Sequence, residues 1–115
     1  VTSLPFFQVD AFADEPLTGN PAAVMPLEKW LDEALMQAIA AENNVSETAF
    51  TVPKEGGDAD FDLRWFTPTA EVELCGHATL AAGHILMTGQ QVRFATKSGV
   101  LIVSRREDLL ELDMR

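Results

Sequence analysis

The sequence predicts an α+β fold in which a barrel-like, largely antiparallel sheet of short strands wraps around a central hydrophobic helix. Three observations lead there. Residues 78–87 run almost entirely apolar or small, without the one-sided polarity of a surface helix, so this helix is expected to be buried on nearly all sides. Residues 27–42 instead carry one apolar stripe, Leu31, Ala34, Leu35, Ala38 and Ile39, at three- and four-residue spacings, which marks a helix lying over a surface. The remaining segments are short and alternate apolar with polar residues, the period of two that a half-buried strand requires. A curled sheet with one helix inside and one outside satisfies all three patterns. A doubly wound α/β fold fits poorly, because helices do not alternate with strands and no Gly-x-Gly-x-x-Gly follows a strand.

Taken in order, Leu4 to Phe12 is rich in aromatic and β-branched residues and reads as a strand, with Pro5 favouring an edge or a strand start. Residues 14–21 form a loop, punctuated by Gly19, Asn20 and Pro21. Ala22 to Met25 is a short strand closed by Pro26. The amphipathic helix, with Asp32, Glu33 and Gln37 off its stripe, stops at Asn43-Asn44, because Asn tolerates the left-handed conformation of a C-cap. Val45 to Val52 is a strand, and a turn follows from Pro53 to Asp60. Phe61 to Phe66 alternates cleanly, with Phe61, Leu63 and Trp65 on one face and Asp62 and Arg64 on the other. Glu71 to Leu74 is a short strand with Glu71 and Glu73 toward solvent. Within the central helix, His84 lies deep in the apolar run and is expected to be a satisfied core histidine. Gln91 to Thr96, Gly99 to Ser104 and Leu109 to Met114 complete the strands. The sequence has no internal repeat and no low-complexity tract.

The bulk properties narrow the function classes. A chain of 115 residues, 47% hydrophobic, has room for one domain with a real core. Its net charge of −10 is spread along the chain, which excludes a nucleic-acid partner, since a phosphate backbone needs a basic face. No segment has the length and apolarity of a membrane span. One cysteine suits a reducing, cytoplasmic setting. The chain begins at Val1 and stops at Arg115 directly after an alternating run, so one piece of a longer protein is the expectation.

The residues able to carry chemistry gather around the entrance of the central helix. Cys75 directly precedes Gly76 there, where unpaired N–H groups and the helix dipole favour an anion. That placement is expected to lower the thiol pKa and to welcome a substrate carboxylate; a lone cysteine is also at home as a small buried hydrophobe. Gly76, with no Cβ, permits close backbone approach or a tight strand-to-helix step. His77, in the first turn, can donate a hydrogen bond or move a proton. Cys75 and His77 alone do not complete a zinc set. Glu47 would share a strand face with Val45 and Ala49 and point somewhere partly dry, as a general base or as a paired structural group. Asn20, between Gly19 and Pro21, can bond its own backbone or orient a substrate. Together these groups suit proton transfer on a small anionic molecule.

Gly19-Asn20-Pro21-Ala22-Ala23-Val24, Ser46-Glu47-Thr48-Ala49-Phe50, Arg64-Trp65-Phe66-Thr67-Pro68 and Cys75-Gly76-His77-Ala78-Thr79 occur in one order along nearly the whole chain. In them, and in Val9-Asp10-Ala11-Phe12 before the loop, the sequence resembles the phenazine biosynthesis PhzF-like family. The resemblance implies one lobe of a two-lobed, diaminopimelate epimerase-like fold, with the active site between the lobes and a C-terminal lobe supplying the opposite wall. It further implies a cytoplasmic, homodimeric isomerase that uses neither metal nor cofactor. Glu47 matches the family's catalytic glutamate and His77 a pocket histidine. Gly76 and Ala78 match the backbone segment near the substrate carboxylate, and Asn20 and Ser46 match positions lining the cleft. Cys75 departs from the phenazine enzyme proper. It opens two alternatives to the glutamate isomerase: a cysteine-dependent epimerase or racemase, and a non-catalytic ligand-binding domain of the same fold.

Overall fold

A computed structural model of the chain describes residues 4–9, 22–106 and 109–114. Its elements follow in the order β1 (Phe7–Val9), β2 (Ala22–Pro26), α1 (Glu33–Asn43), β3 (Glu47–Pro53), β4 (Phe61–Phe66), β5 (Glu71–Val72), α2 (Gly76–Leu86), β6 (Gln91–Thr96), β7 (Gly99–Arg106) and β8 (Leu109–Met114). The strands form one curled sheet in the order β1-β2-β3-β4-β6-β7-β8, with β5 added on β4. Most neighbours are antiparallel, but β2–β3 and β4–β6 are parallel. A parallel pair needs a long crossover, and each here is bridged by a helix: α1 between β2 and β3, α2 between β4 and β6.

The two helices lie on opposite faces of the sheet, and residue alternation decides which side chains each one meets. Ala22, Val24, Ala49, Leu63, Trp65, Phe94, Leu101 and Val103 pack with Ala78, Ala81 and Ala82 of α2 in the larger core. Met25, Phe50, Val52 and Phe66, from the intervening positions, pack with Met36 and Ala40 of α1 in the smaller one. The central helix is small-sided where it is most enclosed. A Cβ on Gly83 would lie 2.7 Å from Val103 Cγ1 and 2.9 Å from Val103 Cβ, so only glycine lets β7 come this close.

Three expectations about individual faces are corrected. In α1 the buried residues are Met36 and Ala40, while Ala34, Leu35 and Ala38 are exposed, Leu35 by 48%. Apolar residues fill nearly every position from Ala34 to Ala41, so two stripes compete. The choice falls to polar anchors: Gln37 donates to the Thr67 carbonyl at 2.9 Å and Asn43 to Thr48 Oγ1 at 3.2 Å. Gln37, expected off the packed face, is therefore on it. His84 is exposed, on a side of α2 that the sheet does not cover. Glu71 turns from solvent to Arg64, which grips it with Nε at 2.8 Å and Nη2 at 2.7 Å. The helix stop at Asn44 is as expected, with φ of 51° and its N–H on the Ala40 carbonyl. No helix among the described residues is long and apolar enough to cross a membrane.

Candidate active site

Glu47 opens β3, and three alternations place it. It pairs with Ala22 across the parallel register, and Ala49, two residues on, pairs with Trp65. Ala22, Ala49 and Trp65 all face α2, so the Glu47 side chain must too. Its side chain is 13% exposed. Cys75 is the N-cap of α2, in extended conformation with φ −148°, which swings its side chain toward the sheet instead of along the helix.

One oxygen of Glu47 meets both partners. Cys75 Sγ donates to Glu47 Oε1 at 3.1 Å, and His77 Nε2 lies 2.7 Å from the same oxygen. The imidazole contact falls within ion-pair range, yet its angle lies outside hydrogen-bonding geometry.

The thiol behaves opposite to the expectation from its helix position. Burial pushes Cys75 up to about 12, and the neighbouring Glu47 carboxylate, an acceptor that favours the protonated thiol, adds to it. The N–H groups of Ala78 and His77 pull the other way, as a helix start should, but they do not form a cap hydrogen bond and are outweighed. At neutral pH Cys75 is a neutral thiol donating to a carboxylate.

The other expected residues divide. Ser46 is half-buried immediately before β3, next to Glu47. Gly76 begins α2, and a Cβ there would meet only Leu112 Cδ2 at 3.6 Å, an ordinary contact, so the fold itself does not require a glycine. Ala78 has a fully buried side chain within the core; only its N–H bears on the site. Asn20 lies outside the described residues, as do the loop around it and Asp10. Trp65 and Thr79 were not foreseen. Trp65 Nε1 donates to Thr79 Oγ1 at 3.0 Å, and Thr79 Oγ1 donates to the Cys75 carbonyl at 2.7 Å. A buried indole N–H usually finds an acceptor, which was the available signal.

The donor atoms of Glu47, Cys75 and His77 lie within 4.8 Å of one another, so the fold supplies the third member that sequence spacing lacked for a metal set. A metal there would have to displace the thiol proton that now binds Glu47. Two surface cavities, about 510 Å³ beside Trp30, Arg64 and Lys97 and about 430 Å³ beside Lys54, Phe61 and Leu86, include none of the three residues. The cluster is open-faced: His77 is 35% exposed and the adjoining Leu74 44%.

The fold thus brings a carboxylate, a thiol and an imidazole together at the tip of a sheathed helix, and comparisons with known proteins place that fold in a family. Residues 9–113 match the family described as Phenazine biosynthesis-like protein. The chain belongs to this PhzF-like family. An uncharacterized isomerase of Pseudomonas aeruginosa is 57% identical over 96% of the chain and 43% of its own length. An uncharacterized isomerase of Halalkalibacterium halodurans is 49% identical over 95% of the chain and 42% of its own length. The crystal structure of a PhzF-family phenazine biosynthesis protein of Enterococcus faecalis superposes with a TM-score of 0.85 at 50% identity, covering 95% of this chain and 43% of that one. The chain thus spans less than half the length of these relatives, and its curled sheet around a helix is the fold of the matched part of that structure.

Proposed function

We propose that the chain is one lobe of a cofactor-independent isomerase that moves a proton on a small carboxylate-bearing metabolite, with Glu47 as the acid/base. The observation that carries this reading is the convergence of the Cys75 thiol and the His77 ring on one oxygen of a carboxylate that is largely shielded from solvent. Glu47 takes a proton from a carbon next to a carbonyl or carboxyl group. The negative charge left on the substrate is held by first-turn N–H groups of α2, beside Gly76, where no Cβ obstructs approach. Protonated Glu47 then returns the proton to another carbon, so the double bond shifts and nothing is gained or lost. His77 orients the carboxylate or passes the proton, and Ser46, next to Glu47 in sequence, and Asn20 are the proposed substrate-binding residues.

The second lobe, C-terminal in the complete protein, supplies the opposing wall and covers Leu74 and the cluster. The lobe alone leaves its site wet and turns over poorly. The complete protein is a cytoplasmic homodimer in this reading, and its substrate is a small anion.

One observation favours a second reading. The 3.1 Å contact equally lets Glu47 take the thiol proton, so that Cys75 meets the substrate as an epimerase base. The thiol's upward shift weighs against it, because little thiolate exists at neutral pH. The test is exchange of substrate protons with deuterated solvent in the complete protein. Glu47→Gln is expected to lower exchange by roughly 10²–10⁴-fold, the usual contribution of a general base, and Cys75→Ser by less than about tenfold. Exchange that survives Glu47→Gln and dies with Cys75→Ser assigns the epimerase. Binding of candidate carboxylates with no exchange in any variant assigns a ligand-binding domain.

A further inference from the structure

We infer that Thr79 and Trp65 are positioning residues: their hydrogen-bonded relay from β4 to the Cys75 carbonyl sets the helix tip so that the Cys75 thiol meets Glu47. This goes beyond the proposed reaction but rests on that reading for its catalytic meaning.

The relay has a fixed direction. An indole N–H can only donate, so Trp65 Nε1 occupies a lone pair of Thr79 Oγ1 and leaves the hydroxyl proton for the Cys75 carbonyl. That carbonyl also receives the Thr79 N–H at 3.1 Å, so one residue holds it twice. Thr79 is fully buried and Trp65 nearly so, which leaves no water to replace either bond. The contacts close a ring. Trp65 is the register partner of Ala49, Ala49 is two residues from Glu47, and Glu47 accepts from Cys75 Sγ. The strand pair that carries the carboxylate therefore also holds, through Trp65 and Thr79, the backbone that carries the thiol.

Peptide mapping of the complete protein after iodoacetamide treatment follows alkylation at Cys75 itself, whatever other thiols the complete protein carries. We expect Thr79→Val, which keeps the shape and removes the hydroxyl, to raise the alkylation rate at pH 8 by at least about tenfold, as the thiol leaves Glu47 and its thiolate fraction grows. Thr79→Ser should stay within about twofold of the parent. Trp65→Phe, which removes the indole donor, should move the rate the same way as Thr79→Val, and it carries the test by itself if the valine variant does not fold. Two results would overturn the inference. In one, Thr79→Val and Trp65→Phe lower the thermal midpoint and leave the pH–rate profile of alkylation unchanged. In the other, serine and valine at position 79 accelerate alkylation equally. Because alkylation needs no substrate, these outcomes stand whether or not Glu47→Gln abolishes proton exchange.

Discussion

The strands β3 and β4 carry a polar cluster on each face, and the two are built on different principles. Facing α1, Arg64 binds Glu71 through two nitrogens and Glu33 at 2.6 Å, with Lys97 closing on Glu71 at 3.2 Å. Its guanidinium also lies 5.6 Å from the Trp30 ring and 5.4 Å from that of Phe66. Facing α2, Glu47 meets a thiol and an imidazole, neither of which carries a permanent positive charge. The first cluster joins α1, β4, β5 and the β6–β7 turn, and its ion pairs favour the ionised form of Glu71. The second leaves its carboxylate with proton donors of adjustable charge. Permanent counter-charge makes a clamp; exchangeable protons are what the proposed acid/base chemistry requires.

This difference should appear most strongly when the central group of each cluster is removed. Arg64→Met leaves Glu71 largely buried with only Lys97 for company, and we expect a loss of about 2 kcal/mol of folding stability, below the usual cost of breaking a buried pair because Arg64 is partly exposed. Glu47→Gln, which keeps shape and leaves an acceptor for the thiol, should change stability by less than about 0.5 kcal/mol while removing proton exchange. Urea unfolding of both variants checks the pair. Equal stability losses would erase the distinction between clamp and site.

A smaller effect tests how far the site depends on the body of its helix. Gly83→Ala pushes a methyl into Val103, and because the obstructing atoms include a Cβ, the neighbour cannot swing away. The overpacking costs roughly 1–3 kcal/mol, of which about 1 is returned by alanine's better helix propensity. The net loss, measured as a fall in thermal midpoint, should be relieved by adding Val103→Ala. The displaced helix should disturb the thiol contact and leave the Arg64 clamp intact, since the clamp lies on the other face.

The two faces also explain what could be read from the sequence. Strands with a clean period of two, Phe61–Phe66 and Gln91–Thr96, were legible to the residue, because alternation is a local property. The face of α1 was not, since nearly continuous apolar residues leave the stripe to be settled by Gln37 and Asn43 bonding to distant strands. At the site, Cys75 and His77 were visible from their place at a helix start, and Glu47 from its strand face and from family resemblance. The direction of the thiol shift was hidden. A helix start is local, whereas the burial and the carboxylate that overrule it arrive from β3, 28 residues earlier. Likewise His84 sits in an apolar run, yet its exposure depends on which side of α2 the sheet leaves uncovered.

The gentlest perturbation, pH, should act on the two clusters at opposite ends of the scale. Arg64, then Lys97, hold Glu71 below its ordinary value of 4.5 against the opposing effect of burial. A depressed folded pKa gives stability that is full above the unfolded value and is lost as pH falls through the folded one, so the clamp defines an acid limb beginning below about pH 4.5. Cys75 is raised from 9.0 to about 12, so the stability from its protonated form is full below pH 9.0 and declines as pH rises toward the folded value. Each limb is worth no more than about 1 kcal/mol over its first pH unit after allowance for partial exposure. Glu71→Gln should flatten the acid limb and leave the alkaline one, and Cys75→Ser should do the reverse, both read from thermal midpoints between pH 3 and 10. If both substitutions flattened the same limb, the clusters would be coupled through the sheet, and the division between a structural and a chemical face would fail.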